Sequence, residues 1–380
     1  MSRIRGQRMN YFLGLLKNLD KKIILIIGLL ATISLVIIYS VTYPDGFVLN
    51  SSLRDIIIQA LAYVLGGICA IIILMIDYKS YSNFEKFLYI GSILVLLTVY
   101  IPGLGYEQYG ARSWIRIPGV TTLQPSEFVK LSFAILMAMY LSKNRDSLDT
   151  FKGIFMAFLY GAPFIIIVVK EDLGSAIVYC AMWALMVFYA GIDYKLLLKL
   201  FLAFCACVPV MFLVMADHQK DRILAFLHPN DLTLPGNYHV WMSKIAIGSG
   251  GLFGKGLFNG TQKELDFLPV QKSDFIFSVI CEELGLIGGL VVILLFTALL
   301  YRFAVIARDA IDLYGALIVI GLIGMFGFQI FENIAMTMGI MPVTGITLPF
   351  LSYGGSAILS NMAAVGLILC VGIRSKQINF

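Results

Sequence analysis

The chain of 380 residues is 59% hydrophobic and 13% charged, with a mean hydropathy of +0.89. Soluble domains carry about 25% charged residues, so a water-soluble globule is excluded. The apolar runs are continuous rather than alternating, which excludes a β-barrel. The net charge of +5 reads as a signal of membrane orientation and not of nucleic-acid binding.

The chain opens with a basic segment, 1–21, that holds Arg3, Arg5 and Arg8 and suits an anchor beside anionic lipid. It is too long and polar to resemble a cleaved signal peptide. A helical span needs about 20 apolar residues. By that criterion about ten spans follow, at 22–43, 55–76, 86–102, 124–142, 153–169, 172–190, 195–216, 274–301, 313–333 and 349–373. Only Lys170, Glu171 and Asp172 divide the fifth from the sixth, which reads as a tight turn between two short spans. With the amino terminus inside, the inner segments carry 17 Lys and Arg and the short outer ones four. That asymmetry predicts both termini in the cytoplasm and one large extracytoplasmic loop, 217–273, before the eighth helix. The whole chain, 1–380, reads as a single all-α membrane domain.

The loop after the third span contains Arg112, Trp114 and Arg116, and leads into Gln124-Pro125-Ser126-Glu127. Pro in the first turn with Glu at the positive end is a helix start. Glu127 and Lys130 are three apart and share a face. They read either as an ion pair between spans or, with Arg112, as cavity groups that attract an anion. Trp114 suits a sugar or the interfacial belt. Asp172-Leu173-Gly174-Ser175 has Asp at a capping position, and at the outer edge Asp172 is also a candidate cavity residue.

The segment 217–273 holds the glycine-rich run 248–256, but not the spacing of a phosphate loop, and no strand precedes it. Residues 238–247 read as a short amphipathic helix on the membrane surface. His218, His228 and His239 read as solvated loop residues, and the six cysteines as small buried side chains, with no metal-type spacing.

Asp274 stands where that polar segment meets the eighth span. A carboxylate there is costly without a task or a partner. Burial would raise its pKa and Lys272 would lower it. On the same span, Glu282 and Glu283 fall about 80° and 180° around a helix from Asp274, so one of them should meet a partner such as Lys130. The last outer loop, 342–356, has no Lys or Arg and is rich in Pro, Gly, Thr and Ser. Irregular backbone at that depth fits the rim or floor of a wet cavity.

These stretches resemble the SEDS family (shape, elongation, division and sporulation), which includes RodA, FtsW and SpoVE. The strongest pieces are Gln124-Pro125-Ser126-Glu127, Asp172-Leu173-Gly174-Ser175, Ala246 to Gly251, Ser273-Asp274-Phe275-Ile276-Phe277, Glu282-Glu283-Leu284-Gly285 and Ser352-Tyr353-Gly354-Gly355-Ser356. Gly260-Thr261-Gln262 looks more like the RodA branch. The resemblance implies a multi-pass protein of the bacterial cytoplasmic membrane with peptidoglycan glycosyltransferase activity. It implies lipid II as donor and acceptor, and as partners a class B penicillin-binding protein and other elongation-complex membrane proteins. The family's essential aspartate falls on Asp274, and its polar pair on the fourth span on Glu127 and Lys130.

The expected chemistry follows. Asp274 takes a proton from an acceptor sugar hydroxyl, and Arg112, Lys130 and Lys272 hold the departing lipid diphosphate. Glu127, Asp172, Glu283, Ser352 and Gly354 complete the expected substrate-binding set. A divalent cation, Mg or Mn, could share the diphosphate, although no dedicated ligand cluster stands out. The alternative is a flippase for the same lipid, in which Lys130, Glu282, Glu283 and Glu332 would matter most.

Overall fold

Long apolar runs in hydrocarbon must satisfy their backbone internally, and here they do so as helices. The computed structural model describes residues 18–42, 52–108, 111–117, 121–170, 172–193, 195–196, 198–199, 202, 217–234, 236–261 and 270–376. The helices used below are α1 (Lys21–Thr42), α2 (Ser52–Met75), α3 (Glu85–Leu97), α4 (Pro125–Lys143), α5 (Phe151–Val169), α6 (Leu173–Ala190), α7 (Asp217–Leu227), α8 (Asn237–Ser249), α9 (Ile276–Arg308), α10 (Leu313–Thr337) and α11 (Gly355–Lys376). Among the described residues, eight helical segments are long and apolar enough to cross a membrane: α1, α2, residues 78–100 around α3, α5, α6, α9, α10 and α11. The expected fourth span is present as α4, which has the length but is more polar. The expected seventh span, 195–216, lies almost wholly outside the described residues.

Three boundaries differ from the sequence reading. The third span starts at Tyr78, eight residues early, because Asp77 caps a 3-10 turn by accepting a hydrogen bond from the Lys79 amide. The eighth runs on to Arg308. The last begins at Gly355 and not 349, leaving 342–354 irregular. The all-α reading also meets a small exception: the loop after α3 folds as an antiparallel sheet of β1 (Gly105–Gln108), β2 (Ala111–Ile117) and β3 (Thr121–Leu123), in that order. The fifth and sixth spans are separate helices, joined at a tight turn where the Asp172 amide donates to the Val168 carbonyl (2.8 Å).

α10 and α11 form the buried centre: α10 packs on α4, α6 and α9, and α11 on α2. Apolar side chains of α2 and α3, such as Leu61, Ile68 and Phe87, face outward, as a lipid-facing surface requires. Ion pairs Lys79–Asp312 (2.8 Å), Lys143–Glu85 (2.5 Å), Arg374–Asp77 (3.4 Å) and Arg302–Asp20 gather at the bundle end away from Asp274. Of the cysteines described, Cys281 and Cys370 are buried as expected, whereas Cys69 is exposed on an outward face of α2.

Inside α9 the helix is broken at Gly285, whose φ of +70° and ψ of −167° leave the helical region. The break frees carbonyls and amides at membrane depth, where water cannot satisfy them. The glycine-rich turn takes their place. Lys255 and Gly256 donate to the carbonyls of Glu282 and Glu283 (2.9 and 3.0 Å), and Leu286 donates to the Gly251 carbonyl (2.9 Å). A Cβ on Gly254 would land on the Glu283 carbonyl, so the approach requires glycine. The glycine-rich run is therefore a plug in a broken helix.

Candidate active site

At the α9 head, Val270 to Phe275 form turns before the helix begins, and Asp274 sits in them half-buried. Its carboxyl lines a cavity of about 840 Å³. The walls come from α4, α6, α7, α8, the strand residues Ser113, Trp114 and Thr122, the irregular stretch 339–354 and the head of α11. The last loop is thus the cavity wall, as its composition implied. Several contacts bind it to the Asp274 turn. The Asn333 amide donates to the carbonyls of Asp274 (3.0 Å) and Ile346 (2.8 Å). Ser352 Oγ donates to the Ser273 carbonyl (2.5 Å), and the Tyr353 amide to the Lys272 carbonyl (2.8 Å). A side chain on Gly345 would meet the Asp274 carboxylate. Burial pushes the Asp274 carboxyl up to about 6, against the opposing pull of a Ser273 hydrogen bond and the Arg222 charge.

The other expected residues divide. Glu127, Asp172 and Gly354 line the cavity. Asp172 both caps and lines: it accepts from the Ser175 amide (3.0 Å), from Ser175 Oγ (2.7 Å) and from Gln124 Nε2 (2.7 Å), tying the α4 and α6 heads together. Ser352 is buried behind the lining as a loop clamp. Glu283 lies about two turns deeper, where one oxygen accepts from Ser40 Oγ (2.6 Å). Glu282 pairs with Lys255 (2.7 Å), not with Lys130.

The three cations expected to meet an anion are placed elsewhere. Lys130 is 1% exposed and pairs with Glu127 within α4 (2.5 Å), so that pair does not bridge two spans. Lys272 turns away from Asp274 to Asp55 on α2 (2.7 Å). Arg112 lies in β2 outside the lining, with its guanidinium donating to the Ile101 carbonyl (3.3 Å). The cationic lining residues are instead Arg222 on α7 and Lys244 on α8. Arg222 Nη1 donates to the Thr344 carbonyl (3.0 Å), and Thr344 Oγ1 donates to buried Glu332 (3.0 Å).

His239 also lines the cavity and is half-buried, with burial pulling its imidazole below its ordinary pKa. It is not the solvated loop residue expected. His228 is exposed as expected. The expected short helix is present as α8, and its inner face packs on the bundle: Ser243 is buried, donating to the Thr337 carbonyl (2.7 Å) and hydrogen-bonded to Ser278 (2.6 Å). A readable signal existed: Asn237, Trp241 and Lys244 fall at i, i+4 and i+7, one helical face, and that face is the one turned to the cavity.

A polytopic helical bundle with an aspartate lining a cavity at one end defines a multi-pass membrane protein with a candidate site. The profile of the FtsW/RodA/SpoVE family, described as a cell cycle protein, matches residues 20–377. The chain belongs to this family. It is 36% identical to stage V sporulation protein E of Bacillus subtilis, over 94% of this chain and 98% of that protein. It is 32% identical to the peptidoglycan glycosyltransferase MrdB of Escherichia coli, over 95% of each. Among solved structures, a chain of a peptidoglycan synthase complex described as coordinating polymerization and crosslinking superposes with a TM-score of 0.80. It has 27% identity and covers 94% of this chain and 99% of that one. RodA of Thermus thermophilus gives a TM-score of 0.67 at 26% identity, covering 93% and 96%. Identities to SpoVE, MrdB and FtsW relatives span only 32–36%, so identity does not separate the RodA branch.

Proposed function

We propose that this protein is a peptidoglycan glycosyltransferase that polymerises lipid II at the outer face of the cytoplasmic membrane during cell elongation, with Asp274 as general base. Family membership and the relatives' names support the activity. The observation that carries the base is the seat of Asp274: a cavity carboxyl pinned through its own carbonyl, with a pKa moved to about 6. A base is most effective with a pKa near the working pH. Asp221 also lines the cavity, but the carbonyl that Asn333 clamps to the loop 342–356 belongs to Asp274.

In this reading Asp274 accepts the proton of an acceptor hydroxyl. The oxygen attacks the anomeric carbon of the donor sugar and a glycosidic bond forms. The bond to the lipid diphosphate breaks, the diphosphate leaves with the electron pair, and the sugar carbon inverts. The short loops at the Asp274 end carry few Lys and Arg, which supports an outer placement of that end.

Among the described residues, no three His, Cys, Asp or Glu side chains converge as a metal cluster. A divalent cation would be held near the diphosphate by a lining carboxylate other than the base, such as Asp221. It would supply charge for the leaving group. A class B penicillin-binding protein is the proposed partner, supported by the likeness to a chain of a synthase complex.

The experiment supplies purified protein with lipid II from the outer side. Glycan made by wild type and lost in Asp274→Asn supports the enzyme. Lipid movement by wild type without polymer, in the presence of partner, would favour the flippase.

A further inference from the structure

Two positive side chains of the cavity have no role in the scheme above. Arg222 and Lys244 line it from two different helices, and neither is in an ion pair among the described residues. The contrast with Lys130, Lys255 and Lys272, each held by a carboxylate, is a matter of availability. A cation already neutralised has little left for a ligand, and moving it would strand its partner. The lining carboxylates do not supply the missing counter-charge. Glu127 is taken by Lys130, and Asp172 by its cap and Gln124. Asp221 and Asp274 also line the cavity, and neither lies within ion-pair distance of Arg222 or Lys244.

Arg222 is also held in place. One guanidinium nitrogen of Arg222 is held by the Thr344 carbonyl, and Thr344 is held by Glu332. That leaves the rest of the planar fork, a match for phosphate oxygens. Lys244 lies over Gly339, whose φ is +70° at the end of α10. A Cβ on residue 339 would meet the Lys244 side-chain end.

We propose that Arg222 and Lys244 form the site for the diphosphate of the lipid-linked donor, in place of Arg112, Lys130 and Lys272. This rests on the glycosyltransferase reading and adds the leaving-group side of the reaction to the base. Arg222 and Lys244 meet the negative charge that grows on the diphosphate as the sugar bond breaks. Charge placed where charge develops lowers the barrier more than it tightens substrate binding.

The test separates the two readings. Purified full-length protein is titrated with farnesyl diphosphate, farnesyl monophosphate and farnesol, followed by tryptophan fluorescence, since Trp114 and Trp241 both line the cavity. Wild type should bind the diphosphate saturably and more tightly than farnesol. Arg222→Gln and Lys244→Gln should each weaken it by roughly tenfold or more, with Arg222→Lys between, because Lys lacks the fork. Asp274→Asn should bind at least as tightly as wild type while making no glycan, so that loss of the base and loss of the anion site read out differently. The variants are compared at equal thermal stability, and Lys244→Met, which keeps the stem over Gly339, guards against a folding defect. Unchanged diphosphate affinity in Arg222→Gln and Lys244→Gln overturns the proposal. So does equal binding of diphosphate and farnesol by wild type.

Discussion

The carboxylates at the head of α9 and those about two turns below it have opposite surroundings. Asp274 faces a cavity, and the turn around it is fixed by backbone and amide contacts rather than by an opposing charge. Glu282 and Glu283 sit almost without exposure in the packed interior. One is paired with Lys255 and the other receives a hydrogen bond from Ser40, and both groups' carbonyls are met by the glycine-rich turn. The difference separates an acid left at a cavity from acids held in the packed interior. Lys255 answers the charge of Glu282, and Ser40 holds one oxygen of Glu283. Asp274 is held firmly and lines the cavity.

The sharpest way to break this comparison is to remove each acid in turn. Asp274→Asn should lower lipid II polymerisation at least about 100-fold, the lower range of what a general base supplies. It should not lower heat stability at pH 7.5. Folding raises this pKa from 3.8 to about 6, so the native state binds more protons between those values and its stability falls as pH rises through them. Above pH 6 the ionised form opposes folding, and the amide removes that opposition. A melting curve well below wild type would mean that Asp274 is structural after all. For the same reason wild-type polymerisation should fall as pH drops through about 6, which a pH–rate profile will show.

Gly254→Ala should reverse the pattern. Its Cβ meets the Glu283 carbonyl, so the yield of monodisperse protein should fall sharply, while activity per folded molecule is kept. Glu282→Gln should have a smaller effect of the same kind. Removing one partner of a buried pair costs up to about 3–5 kcal/mol, and here Lys255 keeps some contact with solvent. Replacing both, Glu282→Leu with Lys255→Met, should restore much of the melting temperature. If Glu282→Gln instead abolishes polymerisation at normal stability, the division between the two regions fails. Asn333→Ala should give the mildest change. Two hydrogen bonds are lost, at roughly 1 kcal/mol each, and the Asp274 turn loosens from the loop wall. A fall in kcat larger than the change in KM would mark it as positioning the base.

How much of this was legible beforehand depended on range. The apolar runs gave most spans, because length and composition alone decide whether a helix can cross hydrocarbon. The last loop was readable as a cavity wall because its Pro and Gly content is incompatible with helix at that depth. Asp172 was readable as a cap, since capping needs only the next three residues. Lys272 was misplaced by proximity: two residues from Asp274 in sequence, it reaches a carboxylate 217 positions away. His239 was taken as solvated because nothing in a polar loop shows what packs over it. The glycine run could not be matched to Glu282 and Glu283 without knowing that α9 breaks at Gly285.

By itself, then, the sequence determined that this chain enters a membrane as a helical bundle and that a carboxylate stands at the polar head of its longest span. Those properties rest on hydrophobicity and spacing along one segment. Only the tertiary structure decided which charges are neutralised and which remain open. Pairing partners such as Lys272 and Asp55, or Lys255 and Glu282, are far apart in the chain, and electrostatic energy depends on distance in space.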